Sequence, residues 1–508
     1  MQVVVIGAGF GGIGAAVTLG RAGHDVLVLE RAGDLGGTWR DNTYPGCACD
    51  VPSHLYSFSF APNPGWTRAY SSQPEILAYL HDVVRTFGVA DRIRCGVEVT
   101  AARWDDVALR WRLSTSEGEL SADVLVSATG PLSEPRIPEL PGLAAFEGEV
   151  WHSARWHDGI DLAGRRVAMI GSGASAVQIV PRLAGQAGQL IVFQRTAPWV
   201  MPRKDRDIPA ERRRLFARYP VLQRLARGGI YASREVAVLG LVYQPALMRG
   251  VERICRDHLH RQVADPGLRA VLAPDYRAGC KRLLLSDDYY PALMRDDVEL
   301  VPSAVARFEP DAVVAADGTR RRVDAVVFAT GFETTDLPIA HHLTGRDGRL
   351  LSDAWGQTGM QALRGSTVHG FPNLFFLIGP NTGLGHTSMV HVIESQLAYL
   401  RDALRAMHEH RLAAIEPTAA AQADWNDRIQ RRLRRSVWAT GGCASWYQNS
   451  QGRITTLWPG STLRLRCETR QVDPREYRRV LRPNRAGRPK PTGAGAGSDS
   501  GAGRRTPR

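Results

Sequence analysis

The chain has 508 residues, 44% hydrophobic and 23% charged, with 51 glycines and a formal net charge of +13. A length of roughly two to four ordinary domains excludes a peptide ligand or minimal binding module, and the apolar fraction excludes global disorder. The charge does not describe a basic body: from Arg470 to Arg508 ten Arg and one Lys stand against Asp473, Glu476 and Asp499, which places +8 of the total in the tail.

In chain order, QVVVI (2–6) reads as a buried strand, Gly7 to Gly12 as a tight turn, Ile13 to Ala22 as a helix and DVLVLE as a second strand ending at Glu30. The apolar run from Val3 has no basic residues before it and is broken by glycines, so it is not a secretion signal. DVLVSATG (123–130) is a further apolar strand ending in small residues. The opening pattern returns as RVAMI, a turn from Gly171 to Ala176, a helix through Leu183 and LIVFQ ending at Gln194. Residues 205–270, rich in Arg and Leu at helical spacing, predict a helical insertion. The apolar stretch from Val236 to Met248 is too short to span a bilayer and is flanked by Arg234, Glu235 and Arg249. VDAVVFATGF (323–332) repeats the small-residue ending, LFFLIGPNTG (374–383) is a strand running into a Gly-rich turn, and Ser388 to Met407 predicts a helix. The segment 483–508, Gly/Pro/Arg-rich and without apolar anchors, predicts a disordered basic tail.

The two glycine turns specify ligands. In GxGxxG the first glycine permits the turn, the second lets a pyrophosphate approach a helix N-terminus, and the third allows the helix to pack on its strand. Gly7, Gly9 and Gly12 meet that pattern, and Glu30, at the end of the next strand, supplies an acceptor for ribose hydroxyls. The second turn offers Gly171, Gly173 and Ala176. Its position equivalent to Glu30 is Gln194, followed by Arg195 and Thr196, so the repelling carboxylate is gone and a guanidinium can pair with a 2′-phosphate. FAD in the first unit and NADPH in the second are therefore expected. The fold class that follows is α/β, with two Rossmann-like dinucleotide-binding domains. Residues 1–145 and 331–470 form the FAD-binding domain, the latter with substrate and NADP loops; residues 150–330 form the inserted NADP-binding domain.

Seven scattered cysteines, an odd number, predict a reduced, cytoplasmic protein without a disulfide framework. Cys47 and Cys49 have CxC rather than redox CxxC spacing, and no paired Cys/His spacing predicts a metal site.

FEGEVWHSARW (146–156) carries FxGxxxHxxxW through Phe146, Gly148, His152 and Trp156, and GGTWRDNTYPGCACD (36–50) carries GGxWxxxxYPGxxxD. With both turns and both Ala-Thr-Gly strands, the chain resembles the type I Baeyer–Villiger monooxygenases over nearly all of residues 1–480. It departs from them at His157, where that family has Pro or Asp. The resemblance implies that NADPH reduces FAD, that O2 forms a C4a-peroxyflavin, and that this inserts one oxygen beside a ketone carbonyl to give an ester or lactone. It also implies Arg282 as the cation that steadies the anionic oxidant, Asp50 as its orienting partner, Lys281 toward the NADP phosphate, and Trp446 on a loop over NADP and substrate. Cofactor contacts carry over to Gly37, Thr38, Trp39, Asp50, Tyr56, Val99 and Gln178. His152 is expected to couple the two domains rather than act as a base. The implied partners are a small-molecule ketone and O2, without nucleic acid or a membrane span. Two alternatives stand beside this reading: a flavin-containing N- or S-monooxygenase, and a flavin-binding protein that inserts no oxygen.

Overall fold

A computed structural model describes residues 1–482; the segment 483–508, read above as a disordered tail, lies outside the described residues. Strand β1 (Gln2–Ile6), helix α1 (Phe10–Arg21) and strand β2 (Asp25–Glu30) open a five-stranded parallel sheet whose order is 374–376, 124–127, β1, β2, 93–95. The helix begins three residues before the expected Ile13, because Gly9 takes the N-cap position and Gly11 and Gly12 enter the first turn. Gly12 has no room for anything larger: a Cβ there would lie 1.9 Å from the Gly7 carbonyl oxygen. The near-continuous Val/Leu/Ile strands fit a sheet covered on both faces. One cover is α1 backed by the helix Met389–Glu409, with Leu397 and Phe58 closing directly on Gly14.

Strand β3 (Arg166–Ile170), helix α2 (Ala174–Leu183) and strand β4 (Gln189–Phe193) repeat the plan in a second parallel sheet, order 298–301, β4, β3, 325–328, 149–152. Its strands lie between those of the first sheet in sequence, since 374–376 returns to pair with 124–127. The split-and-inserted arrangement is thus carried by strand pairing. Helices Ala210–Arg218, Pro220–Glu235, Met248–Gln262 and Pro266–Leu272 occupy the expected insertion. The apolar stretch within it forms a short π turn, Leu239–Tyr243. No helix among the described residues is long and apolar enough to cross a membrane. Beyond residue 470, Tyr477–Leu481 pairs antiparallel with Leu412–Pro417.

Candidate active site

Both turn-to-helix junctions are shaped for a diphosphate. Gly7 (φ +100°) and Gly171 (φ +115°) would each drive a Cβ into a backbone carbonyl, of Ala128 at 2.8 Å and Ala329 at 2.6 Å. Gly9 and Gly173 cap α1 and α2 without any side-chain cap, so the first-turn N–H groups of both helices are left for a ligand. Nothing lies within 4 Å of a Cβ built on Gly173, and the nearest atom to one on Gly9 is the Gly37 Cα at 3.7 Å. Ala176, the third residue of the second turn, is fully buried against its strand.

At the end of β2, Glu30 is buried. Its carboxylate accepts from the N–H groups of Ala8 (2.8 Å) and Ala32 (3.0 Å) and pairs with Arg40 (3.0 Å). A carboxylate has about four acceptor positions, so part of its capacity remains for a ribose. Gly37 (φ +54°) precedes the short helix that starts at Thr38, an exposed residue, and continues into buried Trp39, whose indole N–H donates to Tyr56 Oη at 3.0 Å. Val99 is buried at the start of the strand Val99–Asp105, just after Val97 bonds the Glu30 carbonyl.

In the second unit, Arg195 is exposed at the end of β4, and the Thr196 carbonyl accepts from Ser172 Oγ at 2.9 Å, tying the strand end to the glycine turn. Lys281 comes close enough that Arg195, after burial, is the next cause holding its ammonium below the usual lysine value. Two cations from positions far apart in sequence thus converge beside the second turn. Gln178 bridges the units: its amide accepts from Tyr44 Oη (3.0 Å) and the Ala48 N–H (3.4 Å) and donates to the Ala48 carbonyl (2.9 Å).

Asp50 and Arg282 meet between the units. Asp50 Oδ2 accepts from Arg282 Nε at 2.7 Å and lies 2.6 Å from Nη2. Asp50 arrives on the YPGCACD loop, anchored where the Cys49 N–H donates to the Ser71 carbonyl at 2.9 Å. Arg282 precedes Leu284–Leu285, which pairs with Val200–Met201. The Asp50 carboxylate outweighs burial and raises the Arg282 pKa, so the guanidinium stays charged. Tyr447, fully buried beside this pair, has its phenol pushed up to about 12 by burial, with Arg282 opposing. The sequence reading missed Tyr447, although it adjoins Trp446. Trp446 is itself 45% exposed, its ring 4.3 Å from that of Tyr447. Trp446 therefore stands outside the core.

One expectation is overturned. Cys280 and Cys443 form a disulfide, so the cysteines are not all reduced. The partners lie 163 residues apart on segments that also share an Arg277 N–H to Gly441 carbonyl bond, a proximity that only the tertiary fold creates. The link joins the residue before Lys281 and Arg282 to the loop that carries Trp446. Cys47 and Cys49 are free, and burial raises both thiols, the former to about 11, which removes the thiolate that redox chemistry needs. His152 is buried at the edge of the second sheet, its Nδ1 accepting from the Ala154 N–H and its ring against Phe332. His157 stands on the surface 3.5 Å from Glu149, where the change from Pro or Asp disturbs no core.

Residues 1–218 match the family described as Pyridine nucleotide-disulphide oxidoreductase. A Streptomyces coelicolor protein named Baeyer-Villiger monooxygenase is 53% identical over 505 residues, 99% of this chain and 97% of its own. A Pseudomonas aeruginosa protein of the same name is 46% identical over 95% of this chain and 92% of its own. Among solved structures, OTEMO in complex with FAD and NADP superposes with a TM-score of 0.85 at 28% identity, covering 94% of this chain and 99% of that one.

Proposed function

Because the chain belongs to the Baeyer–Villiger monooxygenase family, a flavoprotein that uses FAD, NADPH and O2 to insert oxygen beside a ketone carbonyl, we propose how its own residues serve that reaction. Residues 1–145 and 331–470 hold FAD and residues 150–330 hold NADPH. The flavin, once reduced, supplies the activation of O2. The uncapped helix N-termini behind Gly9 and Gly173 receive the two diphosphates, with Gly7, Gly12, Gly171 and Ala176 shaping the turns. Glu30, Gly37, Thr38, Trp39, Tyr56 and Val99 hold the flavin nucleotide. Arg195, Thr196 and Lys281 hold the 2′-phosphate, and Gln178 fixes the second turn against the loop that carries Asp50. Trp446 lies over the nicotinamide side.

The observation that carries the reading is the Asp50–Arg282 pair. Both of its contacts use Asp50 Oδ2, so the Nη1 hydrogens and one on Nη2 remain to face negative charge in the reaction. A guanidinium remains cationic in an apolar pocket and is already oriented, which is the arrangement that stabilises a developing oxyanion without reorganisation. Such a fixed cation favours attack on a carbonyl carbon over transfer to nitrogen or sulfur. We place the protein in the cytoplasm on the same reading, where NADPH is regenerated.

The test is a panel of linear, cyclic and aromatic ketones and thioethers, following NADPH consumption and product mass together. Ketones gain one oxygen as an ester or lactone. Sulfoxides with no ester from any ketone would move the chain to heteroatom oxygenation, and NADPH consumption without any product would leave a flavin-binding protein.

A further inference from the structure

A cavity of about 660 Å³ opens between the loop after Asp50 and the helical insertion. Its walls are of two kinds. Phe216, Ile230, Ile254, Ile208, Met201 and Leu285 give it an apolar body, while Arg203, Lys204, Arg206, Arg212 and Arg234 supply five cations and no carboxylate is present. Carboxylates do lie nearby, but none of them pairs with these five side chains. Asp205 and Asp207 pair with Arg68 at 2.9 and 3.0 Å, and Asp287 accepts from the backbone N–H groups of Arg203 and Lys204, both at 2.9 Å. The five side chains themselves form no ion pair among the described residues. Arg203 Nη2 reaches only the Cys49 carbonyl at 3.4 Å, and Arg234 Nη2 donates to Tyr70 Oη at 2.9 Å.

Two buried polar atoms at this cavity, Arg203 Nε and His54 Nε2, have no hydrogen-bond partner. A buried donor left unmet costs about 1–3 kcal/mol, so unmet groups beside cations that form no ion pair favour an anion in this cavity. The cavity also adjoins the reaction site. Pro52 and Ser53 stand two and three residues after Asp50, and Met201 and Leu285 are the paired residues of the two-strand piece just after Arg282.

We propose that this cavity selects an acidic ketone: the apolar body of the substrate lies on Phe216, Ile230 and Ile254, and its carboxylate is held by Arg203 and Arg212, away from the carbonyl presented to Arg282. The proposal rests on the ketone-oxygenating reading for its reaction, and its binding half is tested separately. Dodecanoate and dodecan-1-ol are titrated calorimetrically into the FAD- and NADP+-loaded enzyme. Dodecanoate binds at least about tenfold more tightly, as expected where one charge-assisted contact contributes 1.4 kcal/mol or more. Arg203→Gln/Arg212→Gln, which removes both cations assigned to the carboxylate, removes most of that difference. In turnover, an oxo-fatty acid exceeds its methyl ester in kcat/KM by a similar factor, and the double variant collapses the ratio. Equal binding of acid and alcohol, or dodecanoate binding that the FAD-loaded enzyme shows but the NADP+-loaded enzyme does not, overturns the proposal, the latter by making the cavity part of the nucleotide site. Selective dodecanoate binding with no ester from any ketone would leave the anion site standing and remove the ketone reading instead.

Discussion

Arg282 and Asp50 act as one unit. Charge at position 282 is assured by the chemistry of guanidinium, and Asp50 decides where the free N–H groups point. Arg282→Ala should still let NADPH bleach the bound flavin while ester formation falls by at least about 10²–10³, the usual cost of losing a preorganised donor. Arg282→Lys should restore little, because an ammonium cannot hold Asp50 with one edge and the reacting oxygen with another. Stopped-flow flavin absorbance and product chromatography separate the two steps; ester formed by Arg282→Ala near the wild-type rate would remove this residue from the chemistry. Arg195 answers a different question. Its guanidinium is exposed and close to Lys281, so Arg195→Ala should raise the KM for NADPH about tenfold or more through loss of a charge-assisted contact. The KM for NADH should barely move, and equal rises for both nucleotides would count against a 2′-phosphate contact.

Elements are sensitive where backbone meets backbone. Gly12→Ala places a Cβ against the Gly7 carbonyl and forces β1 and α1 apart, so that protein should be recovered aggregated or without flavin. Gly173→Ala meets no protein atom within 4 Å, so it should fold with a full complement of flavin yet bind NADPH more weakly, since the methyl occupies the space a diphosphate would use. Flavin absorbance per polypeptide and the NADPH KM report the contrast. A Gly173→Ala enzyme with unaltered KM would mean that the second turn does not hold the nucleotide. The loop of residues 441–452 is tethered by the Cys280–Cys443 bond to the segment leading into Arg282. Cys443→Ser, or a reductant added to the native protein, should hasten proteolytic cleavage within that loop. Identical cleavage with and without reductant would show the two thiols unpaired in solution.

Across the whole molecule, the proposed catalytic pair requires two sheets to be held in one relation, because Asp50 comes with the first and Arg282 with the second. Gln178 makes three of the hydrogen bonds between them, to Tyr44 and Ala48. Gln178→Ala should leave both nucleotides bound but shift the pair, so that a larger share of NADPH is consumed with release of hydrogen peroxide rather than ester. A peroxide assay run alongside product analysis measures that share, and unchanged coupling would place the inter-unit tie elsewhere.

Much of this architecture was legible in one dimension. Periodicity marked the strands and helices, and the spacings Gly7-Gly9-Gly12 with Glu30 and Gly171-Gly173-Ala176 with Arg195 named two different nucleotides, because a turn, a helix N-terminus and a strand end are all within reach of short-range chain geometry. The Phe146–Trp156 and Gly36–Asp50 motifs carried the family in the same way. Tertiary structure alone decided the contacts between distant segments. The 2.7 Å Asp50–Arg282 bond spans 232 positions, the Cys280–Cys443 link spans 163, and Tyr447 and the basic cavity take their surroundings from several elements at once. Local propensity carries no record of such pairings; they follow from how two sheets and a helical insertion bury their apolar faces together, and that packing sets which charges meet and which remain free for a ligand.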